Sequence, residues 1–169
     1  MALPQQSNNP FAIIQRTPSA WQGLQGSTSS GFLIFSSPVW GVRAGFINLV
    51  NTYLNRDLNT ISKILPVYAP LGHGGNDPEA YIANVVRMSG IGRNTPITTQ
   101  EQLQKLGRAI ITVEEGNFWV RESDFQEGFR LAMQARPWPS GTVVQASMGG
   151  GIILLLLAGG YYLYKRYRA

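Results

Sequence analysis

Two adjacent carboxylates, Glu114 and Glu115, stand at the end of a helix pattern with an apolar face and directly before Gly116. Glycine in this position usually caps the C-terminus of a helix. The helix dipole places partial negative charge at that end, so ionised glutamates are disfavoured there. Burial and a second carboxylate act in the same direction, and together they predict a raised pKa for Glu114.

A carboxylic acid that keeps its proton near neutral pH can protonate a leaving oxygen, as glycoside hydrolysis requires. Glu114 is therefore the candidate general acid. The alternative interpretation is two solvated glutamates that only end a helix. Asp77 and Glu79 are explained by the start of a helix, so a second catalytic carboxylate is not identified.

A glycine-rich loop, "PLGHGGND", carries the single histidine of the chain, His73, which either lines a cleft or is solvated. Tyr68, Asn76 and Tyr81 flank this loop and are of the types that hold sugar rings. With Glu115 they are the candidate substrate-binding residues, although each taken singly could serve packing. Because the chain has one histidine and no cysteine, we expect no metal and no cofactor.

Helices must position these residues, and the sequence contains recognisable signals for where the helices start. Ser37 and Pro38 start the first helix, and Asp77 and Pro78 start a later one. The remaining predicted starts are Asn59 for a short helix that ends near Pro66, a capping box of Thr98 with Glu101, and Ser123 with a box closed by Gln126.

Glycine and serine between short apolar runs in "WQGLQGSTSSGFLIF" predict a β-hairpin or an irregular loop. The fold class is therefore mainly α with a small β element, in one domain over residues 1–136. A linker over residues 137–145 begins with the two prolines of "RPWPSG".

Residues 146–164 contain 19 positions without a charge, enough to span a bilayer as one transmembrane helix. The tyrosines at the end of this segment and the basic tail, residues 165–169, are expected to anchor it at a membrane interface. A buried core helix is the alternative. The first ten residues do not predict a signal peptide. The lipid membrane is thus an expected partner.

The 169 residues include 14 Lys and Arg against 9 Asp and Glu. Three of these cations lie in the basic tail, so the rest of the chain is nearly neutral. It contains no basic run with interleaved aromatic residues, which argues against nucleic acid as a partner.

Taken in chain order, these sequence motifs resemble those of the small lysozyme-like muramidase or lytic transglycosylase domains of phage virion proteins. The similarity covers about residues 8–130. The matching segments are Asn9 with Pro10, "FSSPVWGVRA" (35–44), "LNTI" (58–61), "YAP" (68–70), "NDPEAYI" (76–82) and "RAIITVEEG" (108–116).

The resemblance implies a lysozyme-like fold that acts on peptidoglycan, with the essential acid at Glu114 and a variable position at Glu115. The chain departs from the family pattern at two places. Where the family has Gly-Asn-Ile-Arg, this chain has "FAII" (11–14), and a frequent Glu before Asn76 is Gly75.

Three functions follow as expectations. The first is a membrane-anchored, virion-associated enzyme of a phage with a lipid membrane, which degrades peptidoglycan during entry, as a transglycosylase rather than a hydrolase. The second, supported by the departures, is a non-enzymatic virion protein that links membrane and capsid. The third is cleavage of the peptide crosslink instead of the glycan.

Overall fold

The computed structural model of the protein describes residues 5–14, 21–70 and 77–137. Within these ranges it contains five α-helices and a two-stranded sheet, which confirms the predicted mainly α-helical class with a small β element. Among the helices in these ranges, none has the length and apolar character of a membrane span. The predicted span at residues 146–164 and the basic tail lie outside the described residues.

The predicted hairpin is formed by strands β1 (Leu24–Ser27) and β2 (Leu33–Phe35), which pair antiparallel. The N–H of Thr28 donates to the carbonyl of Phe32 at 2.8 Å and closes the turn. The pairing register shifts between Leu24 and Gly26, so the short sheet contains an irregularity typical of a bulge.

The helices follow in chain order: α1 (Pro38–Asn48), α2 (Ile61–Tyr68), α3 (Pro78–Ser89), α4 (Gln100–Glu115) and α5 (Glu122–Ala135). Helix α1 continues into a π-helical turn, Leu49–Tyr53, and a 3₁₀ turn, Leu54–Arg56. The predicted starts of α1 and α3 are confirmed. Proline at the first position is tolerated because an N–H there has no partner within the helix.

The capping box of α4 differs from the prediction by one residue. The hydroxyl of Thr99, not of Thr98, accepts the N–H of Gln102 at 3.1 Å. Oε1 of Gln102 accepts the N–H of Thr99 in return, also at 3.1 Å. Glu101 instead forms an exposed ion pair with Lys105 at 2.7 Å. Two capping-box spacings overlap here, Thr98 to Glu101 and Thr99 to Gln102. The prediction was wrong because glutamine closes a capping box as well as glutamate does.

Two other predicted boundaries are also corrected. Helix α2 begins at Ile61, later than the predicted Asn59, and continues past Pro66 to Tyr68. Helix α5 begins at Glu122 without a side-chain cap, and Gln126 donates to the carboxylate of Glu122 at 2.8 Å instead of closing a box. The side chain of Gln126 therefore pairs with another surface side chain and does not close the predicted capping box of α5.

The centre of the core is the ring of Phe46 on α1. It packs edge-to-face against Phe11, Phe125 and Phe129, with centroids 5.3, 5.5 and 4.8 Å away. Gly107 of α4 lies directly against this ring, since a Cβ built there would be 2.5 Å from Phe46. The glycine thus leaves room for the Phe46 ring against α4, which is the helix that carries the two glutamates.

The N-terminal segment is held on this core by Asn9, which is fully buried. Its side chain both donates to the carbonyl and accepts from the N–H of Ile13, each at 3.0 Å. Phe11 is thereby presented to the core, where it is 1% exposed. Asn9 therefore has a structural role in this chain.

Replacing Gly128 by Ala tests the close contact between α5 and α1. The added Cβ would lie 2.7 Å from the carbonyl oxygen of Val39 and from Val42, so the helices must separate. We expect the free energy of unfolding to fall by about 1–3 kcal/mol. Thermal unfolding of the full chain in detergent, followed by circular dichroism, measures it.

The matched control is Lys105→Ala on the exposed face of α4, which should change stability by less than about 0.5 kcal/mol. Equal stability of the two variants would show that the contact between α1 and α5 tolerates a side chain.

Candidate functional site

The C-terminal end of α4 carries Glu114 and Glu115, both half-buried. Gly116 follows with a φ of 75°, a left-handed conformation that glycine adopts without strain, and this confirms the predicted helix end. The last turn of α4 contains no basic residue. The negative end of the helix therefore meets two acids that no cation of the same turn neutralises.

Glu114 is held by Tyr81, which lies on the neighbouring helix α3. The Tyr81 hydroxyl donates to Oε1 of Glu114 at 2.6 Å. Burial raises the pKa of Glu114, and the hydrogen bond from Tyr81 opposes this by stabilising the charged form. Burial also raises the pKa of the Tyr81 hydroxyl far above its ordinary value, so it remains a donor at every pH of interest.

The start of α3 is fixed by its N-cap, as the sequence predicts. The carboxylate of Asp77 accepts the N–H groups of Glu79 and Ala80 at 2.9 and 3.2 Å. This cap sets where α3 begins and therefore which residue of α3 lies opposite Glu114. Tyr81 stands one turn after Asp77, at the position that meets α4.

Glu115 has a different environment from its neighbour. Burial, followed by the charge on Glu114, raises the pKa of Glu115 to about 7. Its Oε1 atom is buried and has no hydrogen-bond partner among the described residues, as is also true of Nε1 of Trp119. Glu115 therefore keeps its proton up to about pH 7, and the neighbouring charge of Glu114 contributes to this.

Three tyrosines form a row that ends at Glu114, and we call them the tyrosine row. The rings of Tyr68 and Tyr81 are stacked at 6.5 Å with an interplanar angle of 10°. Tyr53, at the end of the π-helical turn, is tilted against Tyr68 at 6.0 Å. The Tyr68 hydroxyl donates to the carbonyl oxygen of Phe11.

The structure thus brings together four of the five candidate site residues: Glu114, Glu115, Tyr68 and Tyr81. Asn76, the fifth, and His73 lie in residues 71–76, outside the described residues. Tyr53 is a member of the row that the sequence did not single out as a site residue. Its place depends on the π-helical turn, for which the sequence carries no local signal.

Two concavities lie away from the glutamates. One, of about 620 Å³, runs along α5 and includes the ion pair of Glu127 with Arg130. The other, of about 450 Å³, lies beside the π-helical turn and shares Tyr53 with the tyrosine row. Among the described residues, no group of three or more His, Asp or Glu side chains is placed to hold a metal ion.

Compared with known proteins, the sequence matches no family model and no curated protein sequence. Function is therefore argued from the site itself: two adjacent half-buried carboxyls with raised pKa values, one of which is oriented by a tyrosine. Proton transfer to or from a bound molecule is the chemistry that this arrangement can perform.

Replacing Glu115 by Gln tests the raised pKa of Glu115 through stability. Its pKa is about 7 in the folded protein and near 4.5 when unfolded, so the folded chain retains a proton that the unfolded chain releases. The parent therefore loses stability as the pH rises between these values. We expect the stability advantage of Glu115→Gln to grow by about 1–2 kcal/mol over this interval, a figure reduced for the partial exposure of the side chain.

Urea unfolding of the full chain at pH 4 and pH 8 measures this difference. The matched control on the same helix is Glu101→Gln. Its ion pair with Lys105 lowers the pKa of Glu101, so that variant should instead lose stability relative to the parent as the pH rises. A constant difference between Glu115→Gln and the parent would contradict the raised pKa of Glu115.

Proposed function

We propose that the protein is a membrane-anchored, virion-associated enzyme that degrades peptidoglycan and opens the cell wall locally during phage entry. The single observation that carries this proposal is the half-buried helix end, where two adjacent carboxyls have raised pKa values and Tyr81 orients one of them. The ordered sequence motifs support the lysozyme-like fold and the lytic transglycosylase or muramidase type of reaction. In this proposal the essential acid is Glu114, as the resemblance implies.

In the proposed reaction Glu114 donates a proton to the glycosidic oxygen as the bond from that oxygen to the anomeric carbon breaks. The Tyr81 hydroxyl, 2.6 Å from Glu114, fixes the carboxyl in place for this transfer. In a transglycosylase the sugar's own hydroxyl attacks the anomeric carbon, and the Glu114 carboxylate accepts the proton released. One carboxylate then serves as acid and as base, so no second catalytic carboxylate is required.

The proton that is transferred is the one on Glu114, whose pKa is raised by burial. Glu115, with a pKa of about 7, is neutral below that pH and adds no negative charge beside this group. Tyr68 and Tyr81 contribute ring surface for the glycan, together with Asn76 of the glycine-rich loop. The proposed anchor is the uncharged stretch at residues 146–164, so the partners are peptidoglycan, a lipid membrane and other virion or capsid proteins.

A specific observation favours a second candidate function, a non-enzymatic virion protein that links membrane and capsid. Residues 11–14 carry polar groups in the family pattern, whereas here Phe11 and Ile13 are buried in the core. The side-chain amide of Asn9 is also occupied by hydrogen bonds to the backbone of Ile13. This segment therefore offers fewer polar groups to a glycan than the family pattern does.

Glu114→Gln is the direct test, made with the full chain in detergent and purified peptidoglycan. We expect release of fragments to fall at least about 100-fold, because the amide cannot donate the proton that bond cleavage needs. The matched control, Glu115→Gln, should stay within about tenfold of the parent at acidic pH. Loss of release in Glu115→Gln with retention in Glu114→Gln would move the acid to Glu115.

Mass spectrometry of the released fragments separates the candidate functions. Anhydro-sugar ends indicate a transglycosylase, new reducing ends a muramidase, and new peptide termini an endopeptidase. No release by the folded parent chain would overturn the enzymatic proposal and favour the structural protein.

The pH profile provides a further prediction. We expect activity to fall as the pH rises, because Glu114 then loses the proton that it donates, and burial places this decline above the ordinary pKa of a glutamate. A charge on Glu115 opposes the loss of that proton, so in Glu115→Gln, which lacks the charge, the decline should move to lower pH. Initial rates of fragment release across the pH range, in the parent and in the variant, measure both declines, and an unchanged profile in Glu115→Gln would contradict the interaction between the two carboxyls.

A further inference from the structure

The concavity beside the π-helical turn has a lining unlike that of the concavity along α5. Its residues are uncharged, apolar or amide- and hydroxyl-bearing: Ile13, Ile14, Trp21, Asn48, Asn51, Thr52 and Tyr53. At about 450 Å³ it is within the size range of small-molecule sites, which combine apolar and aromatic walls with a few placed polar groups. A lining without formal charge selects a neutral ligand.

The polar groups are placed there by the π-helical turn Leu49–Tyr53. The N–H of Leu54 reaches the carbonyls of both Leu49 and Val50, which is the wider spacing of a π turn. Such turns occur frequently at functional sites because they accommodate an extra residue and re-aim the side chains around it. Here Leu49, Val50 and Tyr53 remain buried, while Asn51 and Thr52 are half-buried at the concavity.

Hydrogen-bonding capacity is left over in this lining. The Thr52 hydroxyl donates to Oδ1 of Asn48 at 2.7 Å, which orients the Asn48 amide. Within the described residues, the N–H donors of Asn48 and the whole amide of Asn51 have no partner. Half-buried amides with open donors and acceptors are matched by a ligand rich in hydroxyl and acetamido groups.

Aromatic and aliphatic surface completes the lining. Trp21 is half-buried, and Ile14 is 46% exposed although it is a large apolar side chain. An aromatic ring offers a flat apolar face to the C–H face of a sugar, and an isoleucine offers apolar contact to an acetamido methyl. Amides, a hydroxyl, a ring and no charge together fit a neutral, N-acetylated saccharide.

We infer that this concavity is a saccharide-binding subsite for a segment of the glycan strand remote from the bond that is cleaved, with Asn51 and Asn48 as its hydrogen-bonding residues. The inference rests on the proposed function for its substrate class. Tyr53 joins the subsite to the tyrosine row and hence to Glu114. Binding energy from such a remote segment positions the substrate at the reacting centre.

The test uses the full-length Glu114→Gln chain in a phosphocholine detergent, so that no sugar headgroup competes and no turnover occurs. The probe is chitotetraose, a linear oligomer of N-acetylglucosamine, added to chain labelled with ¹⁵N at its tryptophan indoles. We expect a saturable shift of the Trp21 indole signal, assigned with Trp21→Phe, and the Kd follows from the titration.

Asn51→Ala should weaken binding at least about fivefold by removing an amide that has no partner within the described part of the fold. Asn51→Asp, which keeps the shape of the side chain, should also weaken it. The matched control is Gln134→Ala, which removes an exposed amide from the concavity along α5 and should leave the Kd unchanged. Circular dichroism verifies the fold of each variant.

Absence of a Trp21 shift, or a Kd that Asn51→Ala and Asn51→Asp leave unchanged, would overturn the subsite. Because binding is measured without turnover, this result is distinct from failure of the proposed function. A chain that binds chitotetraose through Asn51 but whose parent releases nothing from peptidoglycan would keep the subsite and overturn the enzyme.

Discussion

The hydrogen bond from the Tyr81 hydroxyl to Glu114 decides the electrostatics of the whole site. A half-buried carboxylate at the negative end of a helix is unfavourable unless something compensates it, and this 2.6 Å bond compensates Glu114 alone. Oε1 of Glu115 has no such partner within the described residues. Two neighbouring and chemically identical side chains therefore differ in pKa, because successive helix positions face different directions and only one faces α3.

This bond depends in turn on how closely the helices pack. Helix α3 is started at a defined residue by the Asp77 cap. In helix α4, Gly107 lies against the ring of Phe46, where only the absence of a Cβ leaves room for that ring. A site carried by rigid, closely packed helices holds its groups in fixed geometry, which proton transfer requires. The apolar core thus sets the distance between the tyrosine and the glutamate.

Features with a local physical cause could be predicted from the sequence. The proline starts of α1 and α3, the hairpin and the glycine end of α4 all follow from backbone chemistry within a few residues. The position of the glutamates at a helix end also predicted a raised pKa, but not how the pKa values of Glu114 and Glu115 would differ. That difference depends on Tyr81, which is distant in sequence. No periodicity indicates which face of α4 meets Tyr81.

The errors have the same origin. Thr98 and Thr99 are both adequate caps, and the choice between them depended on Gln102. The π-helical turn has no sequence signature, so the sequence does not single out Tyr53 or the amides of Asn48 and Asn51 as site residues. Such a turn forms where tertiary packing of buried residues on both sides outweighs regular helix geometry, and local propensity does not report it.

The tyrosine row gives the carboxyl pair and the π-helix concavity a fixed separation. The ring of Tyr53 contacts the ring of Tyr68, which in turn contacts the ring of Tyr81. The hydroxyl of Tyr68 donates a hydrogen bond to the backbone carbonyl of Phe11. On the proposal that one glycan strand occupies both sites, that strand must be longer than a single sugar ring. The rigid spacing therefore favours an extended chain over a monosaccharide, because only a chain gains contact energy at both ends while losing translational freedom once.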